Sequence, residues 1–204
     1  MDSLHKENSD MCMGISEYGA DTNVQYHSDA PKRQDYTEEY QSYYHEKMLQ
    51  AIQERPYLWC SFVWNMFDFA ADARDQGGEP GMNHKGLMTF DRKVKKDSFY
   101  IYKAYWSKEP FVHLCGSRYV DRTEAVTTVK VYSNQTKVAL YANGKLLEEK
   151  TGNKVFEFRV PLNGEVRLEA VSGQAKDTST IRRVSQPNPD YKLKKSKGKS
   201  QNWV

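Results

Sequence analysis

The sequence is poor in cysteine: Cys12, Cys60 and Cys115 are odd in number and follow no metal-binding spacing. A disulfide framework and a zinc module are therefore not expected. Within apolar runs such cysteines act as small buried hydrophobes. Long apolar runs are also missing. None approaches the roughly 18 residues a membrane-spanning helix needs. Met1-Asp2-Ser3-Leu4-His5 does not resemble a signal peptide. The body of the chain lacks a basic patch as well. Residues 191–204 hold five lysines and no acid, so residues 1–190 carry 25 basic against 27 acidic side chains, a net charge of −2. The basic end reads as a solvated linker, and nucleic acid is not an expected partner. The five histidines form no ligand cluster, so no metal is expected.

Aromatics are plentiful, with 14 Tyr, 8 Phe and 4 Trp. Flat apolar faces with polar tips suit sugar rings, although the same residues also serve as ordinary core. Met11–Tyr18 (MCMGISEY) reads as a short buried strand ending in an acid and an aromatic. Asp35 then looks like an N-cap, with Glu38 three residues on as in a capping box. Tyr40, Tyr44, Met48, Ala51 and Ile52 recur at helical spacing, which predicts an amphipathic helix over 35–54 that stops before Pro56. Tyr57–Trp64 (YLWCSFVW) is nearly all apolar and predicts a strand covered on both faces. A glycine-rich polar loop over 68–83 has the length of a functional loop. Phe99, Tyr102, Lys103 and Trp106 mark a second helix over 95–107. Strand, helix, strand, loop and helix in this order form the tail of a β/α repeat.

After Pro110 the pattern changes to period two. Val129/Val131, Val138/Leu140/Ala142, Phe156/Phe158/Val160 and Val166/Leu168/Ala170 alternate with polar neighbours. Asn143-Gly144 between two such runs predicts a type I′ hairpin. The expected fold is therefore α/β plus all-β. Residues 1–108 would be the last two β/α units of a (β/α)8 TIM barrel, and 109–184 an immunoglobulin-like β-sandwich. Residues 185–204 would be a basic linker or tail. A closed barrel needs about 250 residues, so the first part reads as a fragment that starts at the seventh strand, with open apolar edges.

The motifs then resemble a known family. Ile15-Ser16-Glu17-Tyr18-Gly19-Ala20 resembles the nucleophile strand of glycoside hydrolase family 2. Val63-Trp64-Asn65-Met66-Phe67-Asp68-Phe69 is similar to that family's eighth barrel strand, and Asn83-His84-Lys85-Gly86-Leu87 to its closing loop. The resemblance runs over roughly 8–184 and implies a retaining β-glycosidase. Such an enzyme needs one carboxylate to attack the anomeric carbon and a second to protonate the leaving oxygen. The resemblance makes Glu17 the nucleophile, held at the end of a strand. It makes Trp64 a platform under the sugar, and it gives Asn65 and Tyr18 places beside that site. The family's acid/base glutamate follows an asparagine at a strand end, and no such Asn-Glu pair occurs in this sequence.

Asn83 and Lys85 bear on the sugar. In family members acting on β-glucuronides, an Asn-x-Lys pair grips the uronic carboxylate, a natural task for an ammonium. Those members also place an Arg four residues before the Asn, where this sequence has Glu79. On that ground β-galactosides are the expected substrates. β-Glucuronides are the alternative, as is a non-catalytic fragment whose sandwich binds carbohydrate or acts as scaffold. No cofactor is expected. The partners implied are a β-galactoside oligosaccharide or glycoconjugate, upstream domains of the same polypeptide, and further copies in a homo-oligomer. A periplasmic or secreted location follows from the same resemblance.

Overall fold

The computed structural model describes residues 1–194. The expected tail beyond 194, including Gln201–Val204, lies outside the described residues. A short helix α1 (Asp2–Glu7) precedes β1 (Met13–Tyr18), α2 (Glu38–Gln53) and β2 (Leu58–Val63). β1 and β2 pair in parallel, with Tyr18 opposite Val63, and α2 is the crossover between them. The two-residue strands β3 (Phe69–Ala70) and β4 (Met82–Asn83) follow, then α3 (Asp97–Trp106). The expected loop over 68–83 is thus a hairpin, closed by the pairing of Phe69 with Asn83 and of Ala70 with Met82.

Two local expectations shift. The first turn of α2 is capped by Thr37, whose hydroxyl accepts from Tyr40 N at 3.2 Å. Asp35 sits two residues earlier, accepting from the Thr37 amide and hydroxyl at 2.9 and 2.8 Å. Glu38 is therefore the first helical residue rather than the partner in a capping box. The second shift concerns β2, which was expected to be covered on both faces. Trp59 is 71% exposed and Phe62 57% exposed. Among the described residues β1 and β2 pair only with each other, which leaves both outer edges open. The inner side packs well. Tyr18, Leu49, Leu87, Ile101 and Tyr102 form one buried cluster with α2 and α3, and Val63 packs against it.

The rest of the described chain is a two-sheet sandwich. β5 (Val112–Leu114), β7 (Val126–Ser133) and β10 (Lys154–Pro161) make one antiparallel sheet in the order β10-β7-β5. β6 (Asp121–Arg122), β8 (Lys137–Ala142), β9 (Lys145–Thr151), β11 (Glu165–Ser172) and β12 (Ala175–Arg183) make the other, in the order β6-β12-β11-β8-β9. The alternating residues face one another between the sheets: Val129, Val131, Leu140, Phe158, Val160 and Leu168 are all at most 1% exposed. Each such side chain contributes about 1.5–3 kcal/mol relative to exposure. Asn143 and Gly144, at φ 50° and 77°, connect β8 to β9 in the left-handed region that a type I′ turn requires at both positions. The Asn143 carboxamide also accepts from Arg167 N at 2.9 Å, tying the turn to β11.

The two parts are joined by buried charge. Glu38 Oε1 accepts from Asp97 N at 2.7 Å, satisfying the first free amide of α3. Arg118 donates to both Glu38 oxygens. Asp97 accepts from Gly116 N at 2.6 Å and from His113 Nε2 at 2.8 Å, while His113 Nδ1 lies 3.5 Å from Asp177. Burial opposes the Asp97 anion, but His113 and Arg118 beside it hold its carboxyl below the usual range. Burial likewise opposes the His113 cation, yet Asp177 and Asp97, one at each ring nitrogen, raise it to about 9. The start of the expected linker is packed against this junction: Tyr191 O accepts from His27 N at 2.9 Å, and its hydroxyl accepts from Val120 N at 3.1 Å.

Because the folded pKa of His113 lies above its ordinary 6.5, its stabilisation is full below that value and disappears as pH rises through about 9. Denaturation of the parent and of His113→Gln between about pH 6 and 10 should show the parent's advantage shrinking across this window. A pH-independent difference between the two would refute the assignment.

Candidate active site

Backbone pairing beyond the ends of β1 and β2 gathers the residues that the sequence singled out. Trp64 N donates to Tyr18 O at 2.8 Å and continues the parallel ladder. Asn65 N donates to Lys85 O at 3.2 Å, and Leu87 N returns to Asn65 O at 2.9 Å. Segment 83–88 therefore runs beside 65–68, next to the end of β1. Two glycines permit this approach. A Cβ on Gly19 would stand 2.0 Å from Trp64 O, with the Lys85 Cβ 3.8 Å away. A Cβ on Gly86 would meet Asp68 N at 2.1 Å, Phe67 C at 2.3 Å and Met88 O at 2.6 Å.

Glu17 is exposed at the end of β1, and its side chain makes no hydrogen bond or ion pair among the described residues. Trp64 is 38% exposed and meets the edge of Phe69 at 5.9 Å. Asn65 Oδ1 is buried, with no hydrogen-bond partner among the described residues. Asn83 is 4% exposed, and its Oδ1 accepts from Lys85 N at 3.0 Å, which folds 83–85 into a tight turn. Lys85 is half-buried.

Tyr18 departs from its expected place beside the sugar. Successive strand residues point to opposite faces, so an outward Glu17 turns Tyr18 inward. Tyr18 is 6% exposed, and its hydroxyl accepts from Tyr102 at 3.1 Å, whose own hydroxyl lies 2.8 Å from His45 Nδ1. Burial holds His45 down at about 3, so the ring is neutral and donates from Nδ1. Tyr18 is part of the packing beneath the strand.

Of the groups that hold the 83–86 turn, Lys96 and Gln41 were not singled out by the sequence as site residues. Lys96 is completely buried, and its Nζ donates to Asp68 Oδ1 at 2.7 Å, to Thr22 O at 3.1 Å and to His84 O at 3.1 Å. Burial pushes the Lys96 ammonium down, with Asp68 pulling the other way. Asp68 Oδ1 also accepts from Gly86 N at 2.9 Å. Gln41 donates to Ala20 O at 2.8 Å and to Gly86 O at 3.2 Å. His84 lies inside the turn, with Nδ1 3.7 Å from Asp68 and Nε2 3.5 Å from Glu79. The loop after β1 and the Asn83–Gly86 turn are thus stitched into one unit.

A second cluster, Asp97, His113 and Cys115, brings possible ligand atoms within 4.8 Å of one another. Asp97 and His113 spend theirs on each other and on Gly116, and burial pushes the Cys115 thiol well up, away from the thiolate a metal would need. It serves as an ion network.

No family model matches the chain. It is 42% identical over 150 residues to a β-glucuronidase of Bacteroides fragilis, across 71% of this chain and 22% of that protein. It superposes on the crystal structure of an FMN-binding β-glucuronidase from Faecalibacterium prausnitzii L2-6 with a TM-score of 0.92 and 50% identity, over 95% of this chain and 30% of that one. A provisionally assigned β-galactosidase from Bacteroides fragilis follows, with a TM-score of 0.82 and 37% identity over 92% and 30%. The chain therefore spans less than a third of the length of these relatives. Its homologues are β-glucuronidase- and β-galactosidase-like glycoside hydrolases of the family 2 type.

Since the atoms around Gly86 are backbone and cannot swing aside, Gly86→Ala should lower the melting temperature and displace the Lys85 turn. Thermal denaturation checks this; a melting temperature equal to the parent's would show that the turn tolerates the methyl group.

Proposed function

We propose that residues 1–194 carry the nucleophile half of a retaining β-glycosidase whose preferred substrates are terminal β-glucuronides. One observation carries the choice of sugar: the Asn83–Lys85 turn is pinned against Gly19, two residues beyond Glu17. A lysine whose main chain is held beside the loop that follows the nucleophile suits a sugar that bears a carboxylate at C6. The naming of the Bacteroides fragilis and Faecalibacterium relatives as β-glucuronidases supports the same sugar.

In this reading β1 and β2 are the last strands of a (β/α)8 barrel, and the bare Trp59 and Phe62 face the strands that complete it. Glu17 attacks the anomeric carbon as its bond to the leaving oxygen breaks, forming a glycosyl ester on the carboxylate. A second carboxyl, outside residues 1–204, donates its proton to the leaving oxygen and then draws a proton from the attacking water. Trp64 supplies an aromatic wall, with Asn65 next to it along the chain.

The flavin named for the Faecalibacterium relative does not fit the groove at the junction of the two parts. That hollow, of about 500 Å³, is lined by Asp29, Glu39 and Glu124. Its cations Arg122, Lys130 and Arg159 are already bonded to Thr127, Glu46 and Thr128. A flavin phosphate would meet carboxylates there, and no step runs through a flavin.

A second reading, β-galactoside hydrolysis, is favoured by Glu79, which reaches to within 3.5 Å of His84 and places an acid on the loop that leads into the sugar turn. Kinetics of the full-length polypeptide separate the two. Lys85→Ala should reduce hydrolysis of a β-glucuronide by about 10-fold or more relative to a β-galactoside, the loss of one charge-assisted contact. Equal losses on both sugars would remove Lys85 as a carboxylate reader. Glu17→Gln should abolish turnover while leaving substrate binding intact, and residual activity within about tenfold of the parent would overturn the nucleophile assignment.

A further inference from the structure

We propose that Lys96 is a positioning residue for sugar recognition. Its buried ammonium fixes the Asn83–Gly86 turn against the loop that follows Glu17, and so sets where Lys85 stands relative to the nucleophile. The proposal deepens the glycosidase reading and rests on it.

The stoichiometry of the site carries the argument. A protonated lysine has three donors and no acceptor. Lys96 finds three acceptors, from three separate segments: Thr22 O in the loop after β1, His84 O inside the sugar turn, and Asp68 Oδ1 in the segment after β2. Every donor is used. The side chain is fully buried, so the ammonium cannot turn to water if one of these segments moves. Asp68 completes the clamp by accepting from Gly86 N, which secures the far end of the same turn. Backbone bonds run parallel to the clamp, since Thr22 N donates to His84 O and Lys96 N to Leu87 O. Asp21 Oδ1 accepts from His84 N at 3.1 Å, fixing the turn from the other side.

Lys85 lies between two of the anchored positions, His84 and Gly86. Its own main chain is held by Asn83 Oδ1 and by Asn65 N. A displacement of the turn therefore shifts Lys85 relative to Glu17 without touching Glu17 itself. Positioning errors of about 1 Å can cost on the order of a hundredfold in rate or binding. Removing Lys96 should act mainly on substrate affinity, because Glu17 stands on β1, whose ladder does not involve Lys96.

The test uses the full-length polypeptide that contains this chain, with p-nitrophenyl β-D-glucuronide and β-D-galactoside as substrates. The parent's ratio of kcat/KM on the two sugars tests the glucuronide reading alone. The effect of Lys96→Met on the preferred sugar tests the role of Lys96, whichever sugar that is. Lys96→Met is expected to raise KM by about tenfold or more while lowering kcat less. If Lys96 acts through the Lys85 turn, the double variant with Lys85→Ala should show a KM on glucuronide no higher than Lys85→Ala alone. Leu168→Ala, in the sandwich core, is the control for loss of stability and should leave KM unchanged. Should Lys96→Met fail to fold, Lys96→Gln retains two donors and is expected to show an intermediate rise in KM. A folded variant with KM within about twofold of the parent overturns the proposal. So do multiplicative effects in the double variant, or a KM shift equal to that of Leu168→Ala.

Discussion

Two consecutive residues of opposite charge, Lys96 and Asp97, lie buried at the start of α3, and the architecture turns on them. Lys96 reaches one way, to the loops at the ends of β1 and β2. Asp97 reaches the other way, to His113 and Gly116 of the sandwich. Burying an ion costs several kcal/mol even after relaxation, so each charge is tolerable only with its full set of partners. That condition makes the two parts interdependent. If either partner set were lost, an uncompensated charge would remain in the interior, a penalty of about 3–5 kcal/mol.

The same constraint explains why the site region is stiff despite being built from loops. The chain after β1 and the turn over 83–86 contain little regular structure, yet their carbonyls are claimed by Lys96 and Gln41 from the helices beneath. A loop anchored to buried donors on α2 and α3 inherits the precision of those helices. Glu17, by contrast, is held by its strand alone, with its side chain unengaged among the described residues. The arrangement keeps the carboxylate open to a substrate while fixing the groups around it.

Much of the fold was legible from periodicity. The strands with a buried face, β7, β8, β10 and β11, were marked by alternation, and the Asn143-Gly144 turn by its chemistry. Among the strands that went unread were β9 and β12. β9 (KLLEEKT) buries no residue and lies at a sheet edge, and in β12 (AKDTSTIRR) only Ile181 is buried. Their place is set by ladder bonds to β8 and β11, which any sequence can supply. The cap of α2 was misplaced for a related reason. Asp35, Thr37 and Glu38 are all competent capping residues, and only the backbone path decides that Thr37 serves α2 while Glu38 serves α3.

Sequence by itself determined the alternation of the sandwich, the crossover of α2, and the presence of an acid at the end of an apolar strand. It also placed Trp64, Asn65, Asn83 and Lys85 in motifs that the backbone brings together. Tertiary structure alone decided the face of residues outside those patterns. Tyr18 follows Glu17 directly, and the pleat of β1 sends it into the core. Lys93, Lys95 and Lys96 read alike in the run DRKVKKD, yet Lys96 alone is completely buried. Nothing in a lysine's neighbours along the chain records whether three carbonyl and carboxylate oxygens will converge on it, because those oxygens come from residues 22, 68 and 84. Periodicity is a local property of the chain, whereas the partners of a buried charge are assembled only when distant segments meet.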